Sequence, residues 1–202
     1  MTIENVRQLF QESLSIKKLL LKSDQLEVLV KMSDTASEAI QRGRKIMLCG
    51  NGGSAADAQH LAAELLVRLR PHINREGLPA IALALDTSTL TACGNDLGYD
   101  HIFERMVYTL GKKGDILIGI TTSGNSQNVI RAMKAAREKG LKVFGFLGAG
   151  GGKALGLCDE SFLVPSDNTG GIQESHITAG HALMECIENK LLNEGYIHLR
   201  EG

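Results

Sequence analysis

Lys45-Ile46-Met47-Leu48-Cys49-Gly50-Asn51-Gly52-Gly53-Ser54-Ala55-Ala56-Asp57-Ala58-Gln59-His60-Leu61-Ala62-Ala63-Glu64-Leu65-Leu66-Val67-Arg68 reads as strand, turn and helix in succession. The run 45–49, apolar from Ile46 onward, is short, as in a strand buried on both faces. Glycines at 50, 52 and 53 clear side chains from a turn where backbone amides meet a ligand, and Ser54 stands where a helix N-cap belongs. Amides, a positive dipole end and a hydroxyl together favour an anion such as a phosphate ester. An ordinary strand-turn-helix connection has the same outline. In the helix that follows, Ala58, Leu61, Ala62, Leu65 and Leu69 share one face, while Asp57, His60, Glu64 and Arg68 recur on a neighbouring face. An imidazole and a carboxylate one turn apart suit a proton-transfer or metal-ligand pair as well as a solvated stripe.

Outward from this stretch, strands are expected at 45–49, 79–85, 115–121, 142–147 and 161–164. Helices are expected near 54–69, 87–92, 101–110, 126–139 and 172–193. Alternation of this kind argues a parallel sheet covered on both faces, with strand order 2-1-3-4-5. Two amphipathic helices, 3–21 and 25–42, precede it, with Ser23-Asp24 as break and cap and Arg42-Gly43 as the second stop. The first has no strand of its own to cover, so its apolar stripe packs on another copy of the chain or docks within it. The chain divides into 1–43, helices for oligomer packing, and 44–202, one α/β unit.

Thr121-Thr122-Ser123-Gly124-Asn125-Ser126 places four hydroxyl side chains in a loop between a strand and a helix. It is a second phosphate-binding candidate, and the strand order brings it beside the first. Cys93-Gly94-Asn95-Asp96-Leu97-Gly98 reads as a loop able to meet sugar hydroxyls, or as plain turn chemistry. Ala149-Gly150-Gly151-Gly152 reads as a turn. The last helix carries Gln173, Glu174, His176 and His181; the two histidines, five residues apart, point to different faces, so at most one serves a given site.

With 202 residues, 43% hydrophobic, the chain can bury a sizeable core without covalent staples. A net charge of −1 without charge runs argues against nucleic acid as a partner. Four dispersed cysteines with no CxxC suggest cytosolic thiols, and the absence of a leader or long apolar run points to a cytoplasmic protein with no membrane partner.

The assembled motifs resemble those of the sugar isomerase (SIS) domain family, and within it the phosphoheptose isomerases. They are CGNGGSAADAQHLAAEL at 49–65, PAIAL at 79–83, GND at 94–96, GDILIGITTSGNSQNVIRA at 114–132, AAREKG at 135–140 and IQESHITAGH at 172–181. The resemblance implies a flavodoxin-like five-stranded parallel sheet flanked by helices, and a homotetramer built partly through the N-terminal helices. It implies an aldose-ketose isomerase acting on a phosphorylated seven-carbon sugar, supplying heptose to surface polysaccharide such as lipopolysaccharide. Glu64 and His181 match the catalytic base and acid. Ser54, Thr121, Ser123 and Ser126 match phosphate-binding positions, and Asn51 and Asp96 match substrate contacts. Gly52, Gly53, Glu64, Asn95, Thr122 and Gln173 complete the expected substrate-binding set. Some members bind zinc, one per subunit, through the equivalents of His60, Glu64, Gln173 and His181. Within one helix Gln173 and His181 stand about 12 Å apart, so joint ligation needs converging side chains or two subunits. Many relatives carry an arginine where this chain has Gly171. Two alternatives share the resemblance: a non-catalytic SIS binding module, like a relative that binds the replication initiator, and an isomerase of another phosphosugar.

Overall fold

The computed structural model describes residues 2–200; Met1, Glu201 and Gly202, at the outer ends of the two expected segments, lie outside them. The elements follow the expected alternation: α1 (Ile3–Leu20), α2 (Gln25–Gln41), β1 (Ile46–Gly50), α3 (Gly53–Leu66), β2 (Ala80–Ala82), α4 (Thr87–Asp96), α5 (Ile102–Leu110), β3 (Ile116–Thr121), α6 (Gln127–Glu138), β4 (Lys142–Gly148), β5 (Glu160–Val164) and α7 (Thr169–Asn193). Short 3-10 turns occupy Tyr99–His101 and Gly152–Leu157. All strand pairs are parallel and the order is β2-β1-β3-β4-β5, as the alternation implies. Gly50 pairs with Ile120, so the loops leaving β1 and β3 emerge side by side.

Each strand feeds two cores, because successive side chains leave a strand on opposite faces. Ile46 and Leu48, Ile116, Ile118 and Ile120, and Phe144 and Phe146 pack under α2, α3 and α7. Met47 and Cys49, Leu117, Val143 and Leu147 pack under α5 and α6. The two helices bearing the candidate chemistry, α3 and α7, therefore cover the same face. Leu29, Met32, Ala36 and Ile40 of α2 belong to that same core, so no break in packing follows residue 43. Helix α1 is different: it buries only Ile16 and Leu20 and leaves Ile3, Leu9, Phe10 and Leu14 more than half exposed. Where α1 meets α7, Ile16 Cδ1 lies 2.5 Å from where a Cβ on Gly171 would stand. A side chain at 171, arginine included, would require the tip of Ile16 to shift where α1 meets the first turn of α7.

Several boundaries differ from the expectation, each for a local reason. Ser54 is not the N-cap of α3; Gly52 is, with φ 55° and ψ −120°, a conformation that suits glycine. Helix α3 stops at Leu66 rather than near 69, so Arg68 lies beyond the helix and donates to the Pro71 carbonyl at 3.2 Å. Helix α4 runs on through Gly94, Asn95 and Asp96, and burial of Cys93 outweighs the turn preference of that tripeptide. Strand β2 pairs over three residues only, as the edge of the sheet. At the α1–α2 break the cap is Ser23, whose hydroxyl accepts from the Gln25 amide at 3.3 Å, while Asp24 makes no side-chain cap.

His176 shows what the sheet side of α7 demands. It is fully buried with its ring 5.8 Å from that of Phe146, and neither ring nitrogen has a hydrogen-bond partner of regular geometry. Burial holds its pKa down at about 4, opposed weakly by the Leu147 backbone. A ring kept neutral in the fold stabilises fully above its unfolded pKa near 6.5, and that contribution falls as pH drops toward 4. The full loss is roughly 3 kcal/mol. Replacing His176 with Leu should remove this share of the acid-side fall in Tm between pH 7 and 4.5; parallel Tm curves for the two proteins would contradict it.

Candidate active site

Helices α3 and α7 touch at their smallest residue. A Cβ on Gly180 would lie 2.5 Å from Leu61 Cδ1, so only glycine lets the helices close to this spacing. The next residue on α7, His181, consequently meets His60 of α3. Their Nε2 atoms stand 2.8 Å apart with the rings edge to face. Glu64, one turn further along α3, brings Oε1 to 3.2 Å from His60 Nε2. One ligand atom from each of His60, Glu64 and His181 falls within 4.8 Å of the others. Glu64 is largely enclosed, its side chain 14% exposed, and His60 is open to solvent at 47%. Facing Nε2 atoms at hydrogen-bond distance require at least one neutral imidazole acting as acceptor. Asp57, on the same stripe, is buried with Oδ2 unpartnered. Burial pushes its carboxyl up, offset by the charges of His60 and His181.

The donor set fits a metal such as zinc. Two imidazole nitrogens and a carboxylate oxygen within 4.8 Å of one another are a three-ligand set of the kind that leaves a fourth position open. Gln173 is placed otherwise within this chain. Its carboxamide rests on Gly53, where a Cβ would come within 2.0 Å of Nε2, about two helical turns from His60.

The hydroxyls of the second loop lie close to one another. Thr121 Oγ1 lies 3.1 Å from Ser126 Oγ and 3.5 Å from Ser123 Oγ. Ser126 is the N-cap residue of α6 yet makes no side-chain cap, so its hydroxyl turns to Thr121 instead. Thr122 and Ser123 face a polar cleft of about 240 Å³, shared with Gly148, Ala149, Gly150, Ser166, Asp167 and Thr169. The glycine run after β4 is thus a turn that also forms one wall of this cleft. Ser54, buried in the first turn of α3, hydrogen-bonds through its amide to the Asn51 carbonyl at 3.0 Å. A reciprocal amide pair ties the two loops together: Asn51 Nδ2 donates to Asn128 Oδ1 and Asn128 Nδ2 to Asn51 Oδ1, both at 2.8 Å. The Tyr99 hydroxyl also donates to Asn51 Oδ1 at 2.8 Å.

Residues 10–148 match the family model of the SIS domain. The chain is 56% identical to the phosphoheptose isomerase of Aliarcobacter butzleri, across 82% of this chain and 86% of that one. Its fold superimposes on the phosphoheptose isomerase GmhA from Neisseria gonorrhoeae with a TM-score of 0.86 and 43% identity, covering 92% of this chain and 98% of the other. The phosphoheptose isomerase from Francisella tularensis gives 0.88 at 34% identity, over 94% and 100% of the two chains. The chain belongs to the phosphoheptose isomerases of the SIS domain family.

In this family member, His60, Glu64 and His181 come together, as do Thr121, Ser123 and Ser126, and Asn51 joins the two loops. Gly52 supplies the turn and Gly53 the seat for Gln173. Asn95 and Asp96 are not gathered with them: Asn95 donates to Asp96 at 2.8 Å, on the exposed last turn of α4, and among the described residues neither bonds to the loops. Asn128 and Tyr99 were not singled out from the sequence. Asn128, next to the hydroxyl loop in an Asn-rich helix start, was the more findable of the two. Asp57 lies on the reactive stripe, and the sequence alone gives it no role.

Proposed function

We propose that this isomerase converts sedoheptulose 7-phosphate to D-glycero-D-manno-heptose 7-phosphate through an enediol, with Glu64 and His181 as the proton-transfer pair. The observation that carries the reading is the meeting of His60, Glu64 and His181 across α3 and α7. The relatives, named phosphoheptose isomerases, support a phosphorylated heptose as the substrate.

In this mechanism the Thr121, Ser123 and Ser126 hydroxyls, with Ser54 and the amides of the first loop, hold the phosphate. The Glu64 carboxylate takes a proton from carbon 1 while His181 gives one to the carbonyl oxygen on carbon 2, leaving a neutral enediol. His181 then accepts the proton of the carbon 1 hydroxyl as Glu64 returns its proton to carbon 2, so the carbonyl moves to carbon 1 and both groups regain their starting state. Zinc held by His60, Glu64 and His181 would supply Lewis-acid polarisation of the substrate oxygens. Expected zinc stoichiometry is one per subunit. Helix α1, with its exposed apolar stripe, supports self-association as a homotetramer, and the four free thiols suit a cytoplasmic setting.

The test is turnover of sedoheptulose 7-phosphate with proton exchange at carbon 1, before and after chelation and with zinc restored. Turnover lost on chelation and regained with zinc is expected. Chelator-resistant turnover would keep the reaction and remove the metal; absence of turnover and exchange throughout would remove the substrate assignment.

A further inference from the structure

Behind the reactive cluster, two arginines and a glutamate take no part in the steps above. Arg75 lies after the end of α3, with its side chain 1% exposed. Its Nη2 donates to the Glu64 carbonyl at 3.0 Å, and Nη1 to the carbonyls of Leu65 at 3.0 Å and Glu76 at 2.8 Å. Carbonyls in the last turn of a helix have no intrahelical amide to receive, and a cation there also suits the dipole. Arg75 Nε donates to Glu188 Oε2 of α7 at 2.5 Å, and Arg70 Nε to the other oxygen of that carboxylate at 2.8 Å. Arg70 reaches Asn189 and Glu185 as well. One carboxylate on α7 therefore holds two guanidinium groups, and one of these grips the backbone of Glu64 itself.

Glu188 stands seven residues beyond His181, two turns along nearly the same face of α7 and about 10 Å away. A buried ion pair contributes little net stability, because desolvation offsets most of its attraction. What the pair fixes here is the position of the last turn of α3 against α7. That is the geometry deciding where the Glu64 carboxylate stands relative to the His181 imidazole. We propose that Arg75, anchored by Glu188, is a positioning residue for the isomerisation, holding the turn that carries Glu64 in register with His181. The inference rests on the reading of Glu64 and His181 as the proton-transfer pair. The phosphate-binding loops lie at the other end of α3, about 16 Å along its axis, so positioning and phosphate binding are separable.

The experiment compares Arg75→Lys with the unaltered enzyme in deuterated water. Lysine keeps a cation for Glu188 but lacks the fork that spans two carbonyls. Displacing Glu64 by a fraction of an ångström should lower kcat about 10- to 100-fold. KM should stay within about threefold, because the phosphate contacts are untouched. The ratio of deuterium incorporated at carbon 1 to product formed should also change, by about threefold or more. A sample that merely contained less folded enzyme would lower kcat and leave that ratio alone. If Arg75→Lys does not yield folded protein, Glu188→Gln, which preserves shape and an acceptor, carries the same comparison. Folded variants with parental kcat and parental ratio would overturn the proposal. Glu64→Gln run in parallel separates the two readings. Turnover retained there but lost in Arg75→Lys removes Glu64 as base and leaves the brace acting on the His181 side. The reverse pattern removes the brace alone.

Discussion

Replacing Glu64 with Gln is expected to cut turnover of sedoheptulose 7-phosphate by about 10²- to 10⁴-fold, the usual contribution of a positioned general base. Glutamine matches the glutamate in shape and keeps an oxygen to face His60 Nε2, which lies 3.2 Å from Glu64 Oε1. The backbone carbonyl that receives Arg75 is untouched. Folding and phosphate binding should therefore persist, measured by Tm and by protection with inorganic phosphate, while proton exchange at carbon 1 disappears with turnover. Near-normal turnover in this variant would sink the assignment of the base.

The second large effect concerns the sheet rather than the site. Phe146 is fully buried at the middle of β4, its ring 5.6 Å from Phe162 and 5.8 Å from His176. Phe146→Ala should destabilise by about 3–5 kcal/mol, through lost burial and the cavity left between sheet and α7. In a chain of this size that lowers Tm by roughly 6–20 °C. Since α7 rests on this ring through His176, activity at a given temperature should fall with the same midpoint as the fold. A variant with unchanged Tm would mean that the two layers close over the gap.

The architecture was legible because its signals are local. Apolar runs such as Ile116–Ile120 mark buried parallel strands, and the periodic stripes of α2, α3 and α7 mark helices. The reactive stripe was legible for the same reason, since His60 and Glu64 are one helical turn apart. His181 joined them through family resemblance, and the contact that places it, Gly180 on Leu61, spans distant parts of the chain. Other features left no local trace. The Asn51–Asn128 pair and the Arg75–Glu188 brace each link residues far apart in sequence, and lone asparagines and arginines are ordinary surface residues. The position of the α3 cap was misplaced because a serine beside glycines outranks them by side-chain preference. The backbone there requires a conformation that Gly52 can adopt. The end of α3 was overrun because no glycine marks it; Arg75, further along the chain, donates to the carbonyls of its last turn.

Helix α7 carries Gln173 over the first loop, His181 in the reactive cluster and Glu188 in the brace, all on one rod of 25 residues. Each residue inserted into an α-helix turns everything beyond it by about 100° and advances it about 1.5 Å. An insertion or deletion between 173 and 188 would swing the later groups away from α3 and bury the wrong residues against the sheet. Substitution is thus the main route by which this stretch can diverge among descendants. Length variation belongs to the exposed ends of the chain and to the surface connections.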